Sequence, residues 1–284
     1  MKLGIITDCL KKKTVEECIR SAAALGIEGV QIYAVAGEFC HAALDDAAIE
    51  KYRALLRECN LKISALCAEF GGHGFARRDE APERIERVKE IVDLAVKFDS
   101  KVVTTHIGVI PADKESETYK IMLDTLTQCG NYAASKGVTI AIETGPEIAP
   151  VLHDFVIAAG EGVGVNLDPA NFVMVTAQDP AEAVRILGKK IVHTHVKDGK
   201  MLKKTDPAII YNFFADGGIE ALNVADYFIE TPVGEGDVNW EEYIAALREI
   251  GYDGFLTIER EAGNQPEADI KMAVSFIKDN GYLC

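Results

Sequence analysis

Short runs of β-branched and apolar residues recur along the chain, at Leu3–Thr7, Gly29–Ile32, Lys62–Leu66, Val102–Thr105, Thr139–Ile142, Gly164–Leu167, Ile191–His195 and Phe255–Ile258. Stretches with an apolar position every three to four residues lie between most of them: Val15–Ala24, Ala47–Cys59, Ala81–Phe98, Glu115–Ser135, Pro180–Leu187 and Trp240–Ile250, with a last one at Glu267–Asp279. Alternation of the two periods predicts βαβ units around a parallel sheet. Glycines in Leu25-Gly26-Ile27-Glu28-Gly29 and Ser135-Lys136-Gly137 stand where a left-handed residue would stop a helix before the next strand.

Eight strands in 284 residues fit a closed (β/α)8 TIM barrel, which takes roughly 250 residues. An open, doubly wound sheet with a nucleotide site would want a glycine-rich loop after the first strand. That position reads Thr7-Asp8-Cys9-Leu10. No low-complexity tract or Pro/Ser/Gly linker divides the chain, so residues 1–284 are expected to form a single domain. The segment 199–232 is too long for an ordinary βα loop and carries Tyr211, Phe213, Phe214, Tyr227 and Phe228. Its place after the seventh strand puts it on the face where barrels hold their sites. It is expected to be a lid, a helical decoration or an oligomer contact.

Catalysis in a barrel sits at the C-terminal ends of the strands. The fifth strand runs into Glu143, the sixth into Asp168, the seventh contains His193 and His195, and the eighth runs into Glu259. Each follows an apolar run. Burying one unpaired carboxylate is costly, and burying three side by side needs a cation. Strand parity puts His193 and His195 on one face, a layer apart. His195, nearer the strand end, is the expected ligand, with His193 deeper in the barrel. Glu259 and Glu261 also share parity, and Glu259 is preferred because it ends the apolar run. One divalent ion is therefore expected on Glu143, Asp168, His195 and Glu259. Three carboxylates with one imidazole suit Mn²⁺, Mg²⁺ or Co²⁺ better than Zn²⁺. His106 at the end of the fourth strand, Glu69 after the third and Lys197 after the seventh are candidate substrate contacts.

Charge narrows the partners. The net charge of -15 disfavours nucleic acid and anionic membrane surfaces. Seven cysteines, an odd number with no C-x-x-C pair, read as reduced thiols. The N-terminus reads as a strand rather than a signal peptide, and no run of eighteen apolar residues occurs. The expected setting is cytoplasmic, with a small-molecule substrate, no nucleic acid or membrane partner, and a possible homo-oligomer.

Several motifs resemble the sugar phosphate isomerase/epimerase family of xylose isomerase-like barrels, which includes ketose 3-epimerases, hydroxypyruvate isomerase and inosose dehydratase. They are Ala141-Ile-Glu143, Asn166-Leu-Asp168-Pro-Ala-Asn171, His193-Thr-His195-Val-Lys197-Asp198, Pro232-Val-Gly-Glu-Gly-Asp237 with Val238-Asn-Trp240, and Gly251-Tyr-Asp-Gly254 leading to Glu259. The resemblance covers nearly the whole chain. It implies that Glu143 and Glu259 are catalytic and transfer the proton, and it makes Asn171 a further substrate contact. The implied activity is a metal-dependent sugar isomerase or epimerase that moves a proton beside the carbonyl of a ketose or related polyol ketone, through an enediolate. A lyase or dehydratase on a keto-sugar or inosose begins with the same proton abstraction and stays open.

One branch of the superfamily is a phosphodiesterase that cuts abasic DNA with three zinc ions. It has a histidine three residues after the sixth-strand aspartate, where this chain has Asn171, and an Asp-x-His pair after the seventh strand, where no histidine follows His195. Both departures and the acidic charge disfavour that activity. A non-catalytic barrel would have no need of both glutamates.

Overall fold

A computed structural model describes residues 1–218 and 222–283. Eight parallel strands close into a barrel: β1 (Lys2–Ile6), β2 (Gly29–Tyr33), β3 (Lys62–Cys67), β4 (Val102–Thr105), β5 (Thr139–Glu143), β6 (Val163–Leu167), β7 (Ile191–Val196) and β10 (Phe255–Ile258). Closure comes from β10 pairing back onto β1, with Leu3 opposite Leu256 and Ile5 opposite Ile258. Each strand sits within a residue or two of its apolar run in the sequence.

The outer layer holds α1 (Val15–Ala24), α2 (Asp46–Glu58), α3 (Ala81–Lys97), α4 (Glu117–Ser135), α5 (Ala149–Ala159), a short turn α6 (Pro169–Asn171), α7 (Pro180–Leu187), α9 (Trp240–Glu249) and α10 (Pro266–Asp279). Side chains cap several N-termini and satisfy donors that have no partner within the helix. Thr14 accepts from Glu17 N–H, Asp45 from Ala48 N–H and Ser116 from Tyr119 N–H. Helix α5 is not predicted by the hydrophobic pattern. Its outer face carries Val151 and Ile157, both exposed, so the alternation that marks a half-buried helix is missing.

The segment 199–232 belongs to a cap. β8 (Asp198–Met201) leaves the end of β7 and pairs antiparallel with β9 (Phe228–Thr231), outside the barrel. Helix α8 (Pro207–Ala215) lies between them. Residues 219–221 of that segment fall outside the described residues.

The core has two parts. Strand outer faces and helix inner faces form the main apolar layer, from Leu3 and Ile5 through Leu66 and Ile91 to Tyr243 and Ile277. A small separate cluster of Ala65, Val102 and Ala141, with Val192 against it, is the apolar filling on the inward faces of the strands. Gln31, Thr104, Asn166, His193 and Thr257 are also fully buried. That polar set carries the site.

Candidate metal centre and substrate cavity

Glu143 closes β5, Asp168 and Glu259 follow directly on β6 and β10, and His195 lies within β7. Consecutive strand ends converge at one end of a barrel, so these four side chains meet. Each offers one atom, and the four atoms lie within 4.8 Å of one another. His195 Nδ1 stands 2.9 Å from Glu259 Oε2, 3.6 Å from Glu143 Oε1 and 3.8 Å from Asp168 Oδ2. Asp168 Oδ2, His195 Nδ1 and Glu259 Oε2 are buried and make no hydrogen bond; even the 2.9 Å approach lacks the alignment of one. A buried polar atom without a partner costs about 1–3 kcal/mol, more when charged. Three such atoms facing one point fit a shared divalent cation, and the oxygen-rich donor set suits a hard one.

A chain of amides and imidazoles orients the imidazole. Gln31 Nε2 donates to Thr104 Oγ1 at 3.1 Å, which leaves Gln31 Oε1 to face His195 Nε2, also at 3.1 Å. With its proton on Nε2, His195 turns the Nδ1 lone pair toward the carboxylates. Asn166 Nδ2 donates to Glu143 Oε2 at 3.2 Å and also touches His195 Nε2. One layer down, His193 Nδ1 meets Asn166 Oδ1 at 2.8 Å and its Nε2 meets Thr257 Oγ1 at 3.1 Å. His193 is thus a barrel-core residue that braces the site. Gln31 is not among the residues that the sequence singles out; its signal is a lone amide in the apolar run Val30-Gln31-Ile32.

Above this floor opens a cavity of about 320 Å³ whose wall includes Glu69, His106, Asn171 and Lys197, the four expected substrate contacts. Glu69 Oε2 accepts from His106 N–H and meets its Nδ1, both at 2.9 Å, so His106 Nε2 faces inward, 3.6 Å from Glu143 Oε1. Asn171 Nδ2 donates to Thr144 O at 2.8 Å and lies 3.5 Å from Glu143 Oε1. Lys197 is largely committed: its Nζ lies 2.5 Å from Glu261 Oε2 and 3.4 Å from Glu259 Oε2. Two glutamates that the sequence does not single out, Glu147 and Glu230, line the same cavity from the loop after β5 and from β9.

Burial and neighbours set the charges apart. Burial raises the Glu143 carboxyl to about 7, against the pull of His106 and His195. Burial acts upward on Glu259 as well, but Lys197 and His195 hold it well below the usual carboxylate range. Burial would lower His106, yet Glu143 and Glu69 raise it to about 10. Burial also raises Glu147 to about 7, although its Oε1 accepts from Ile110 N–H at 2.7 Å.

The Pro232–Asp237 motif wraps a carboxylate. Asp198 Oδ2 accepts from Gly234 N–H, Gly236 N–H and Trp240 Nε1–H at 2.9, 3.2 and 3.0 Å. Its Oδ1 accepts from Gly199 N–H and Val238 N–H at 2.9 and 3.2 Å. Gly236 is required by contact: a Cβ there would meet Asp198 Oδ1 at 1.9 Å. On the other side, Glu230 Oε1 accepts from Arg260 Nη1 at 2.7 Å and Glu261 N–H at 3.0 Å. The β8–β9 hairpin is therefore fastened to the ends of both β7 and β10, one residue or a few away from His195 and Glu259.

Residues 19–280 match the model of the xylose isomerase-like TIM barrel family. The chain belongs to this family. Over 98% of both chains it is 26% identical to the uncharacterized protein YfiH of Bacillus subtilis (strain 168). The structure of a xylose isomerase domain protein from Planctomyces limnophilus superimposes with a TM-score of 0.77 at 23% identity, over 98% of this chain and 95% of that one. A D-psicose 3-epimerase determined in the presence of D-fructose superimposes with a TM-score of 0.69 at 18% identity, over 98% and 99%. At such identities these two structures establish a shared fold. Among the described residues no helix is long and apolar enough to cross a membrane.

Proposed function

We propose that the protein is a metal-dependent isomerase or epimerase of a ketose or related polyol ketone, with Glu143 and Glu259 as its proton-transfer pair. One observation carries this reading: buried atoms of Asp168, His195 and Glu259 that make no hydrogen bond converge with Glu143 at the floor of a cavity. Glu143, Asp168, His195 and Glu259 would hold a divalent ion, which when bound supplies Lewis-acid polarisation of a carbonyl.

The chain's own groups do the rest. Glu143 and Glu259 come from strands on opposite sides of β6 and β7, so a substrate carbon seated between them has a carboxylate on each side. One removes the proton beside the carbonyl and the other returns one. Lys197, beside Glu259, keeps that carboxylate ionised. His106 Nε2, held by Glu69, is aimed at Glu143 and available to a substrate oxygen. Helix α8 places Tyr211 and Phe214 in the cavity wall, where they exclude water from the enediolate.

The test is metal analysis of the purified protein, followed by NMR of a ketose panel in deuterated water. Metal-dependent deuterium uptake at the carbon beside the carbonyl is expected. Absence of bound metal after reconstitution, or absence of exchange across the panel, overturns the proposal.

A further inference from the structure

We infer that the substrate, under the function proposed above, is an uncharged keto-polyol without phosphate or carboxylate, whose end away from the floor carries few hydroxyls. The cavity wall holds six glutamates: Glu69, Glu143, Glu147, Glu230, Glu259 and Glu261. Against them, among the described residues, stand one lysine, no arginine and three histidines. Each of these side chains already has an acidic neighbour. Lys197 pairs with Glu261 and Glu259, His106 with Glu69, and His73 with Asp216 at 2.9 Å, while His195 faces the other ligands. Arg84 and Arg260 stand behind the wall and are tied to Glu80 and to Glu230 with Asp269.

Two backbone donors at the cavity are taken as well. The loop Gly71-Gly72-His73-Gly74 has the left-handed residues from which anion cradles are built, but Gly71 N–H donates to Glu69 Oε1 at 2.6 Å. Ile110 N–H, on the loop after β4, donates to Glu147. A phosphate monoester, with close to two negative charges, would enter a cavity of its own sign whose one lysine is already paired and whose described wall has no arginine to replace its water. The same cavity has apolar lining from Val109, Pro146, Met174, Phe214 and Phe228. Hydroxyls pressed against these surfaces would lose hydrogen bonds to water and gain none from them, so a deoxygenated end is favoured there.

The experiment is isothermal titration of the manganese-loaded protein with a set of ketohexoses, each as the free sugar, the 6-deoxy sugar and the 6-phosphate. Retention of metal is checked after each titration. The phosphates should bind at least tenfold more weakly than the free sugars, and the deoxy sugars at least as tightly. Phe214 is exposed on α8, so Phe214→Arg is tolerated by the fold and should narrow the penalty on the phosphates about tenfold. Tighter binding of any phosphate than of its free sugar overturns the inference, as does failure of every free ketose to bind. Selective binding of free ketoses without deuterium exchange leaves this inference standing and removes the proposed reaction instead.

Discussion

The two glutamates and Glu147 face the cavity under different local constraints, and each yields its own test. Glutamine at position 143 or 259 keeps the size and one ligand oxygen but deletes the basic carboxylate. Glu143→Gln and Glu259→Gln should therefore fold and bind ketose while losing turnover by at least ~100-fold, the usual scale of general base catalysis. Near-normal turnover in both variants with metal bound would rule out the glutamate pair. Glu147 concerns stability rather than chemistry. Its folded-state carboxyl is raised by burial to about 7, so the folded chain holds a proton that the unfolded chain releases above its own ordinary value. Its contribution is fully present below that ordinary value and is lost as pH rises toward 7. A tenfold change in proton affinity is worth about 1.4 kcal/mol, so a loss of about 3 kcal/mol is expected across that window. Glu147→Gln keeps an oxygen for Ile110 N–H and should be more stable than wild type at pH 8, with the gap closing toward pH 4. Urea unfolding at both pH values measures this; an equal gap at both would show that Glu147 titrates normally.

The elements of the cap have distinct tasks. The β8–β9 hairpin is a fixed brace, because Asp198 and Glu230 anchor it on both sides. Asp198→Ala would leave Trp240 Nε1–H and four backbone N–H groups without their acceptor. Each unsatisfied buried donor costs about 1–3 kcal/mol, so a loss of at least ~3 kcal/mol is expected in urea unfolding. Gly236→Ala should come close to it, since the added Cβ displaces the same carboxylate. Losses under ~1 kcal/mol in both would refute the anchor. Helix α8 is the part suited to act as a lid. Leu202 N–H donates to Tyr227 O at 2.7 Å, so the hairpin ends are close enough to be joined directly. Replacing residues 203–226 by Asn-Gly, the favoured two-residue hairpin turn, should leave the barrel folded and cut kcat/KM at least ~10-fold. An unchanged kcat/KM would make α8 a decoration or an oligomer contact, a role that its exposed Ile209 and Phe214 also suit.

At the level of the whole molecule, a cation that binds only the folded barrel must stabilise it. Manganese at about a hundred times its dissociation constant should add about 2.7 kcal/mol, lost again on adding a chelator. No rise in Tm with Mn²⁺, Mg²⁺, Co²⁺ or Zn²⁺ would remove the metal centre altogether. The barrel is legible in the sequence because apolar runs alternating with helical periods are local patterns, and eight of them admit few closures. The four convergent residues are legible for the same reason: a strand end is a local feature, and barrel topology brings strand ends together. Helix α5 is hidden because its solvent face is apolar, which erases the period. What only the tertiary structure decided lies in pairings across long separations. Gln31 meets His195, Glu230 meets Arg260, and Lys197 turns to Glu261 rather than standing free for substrate. A side chain's residue type states which bonds it can make, but which partner it reaches depends on the strands and loops that fold beside it.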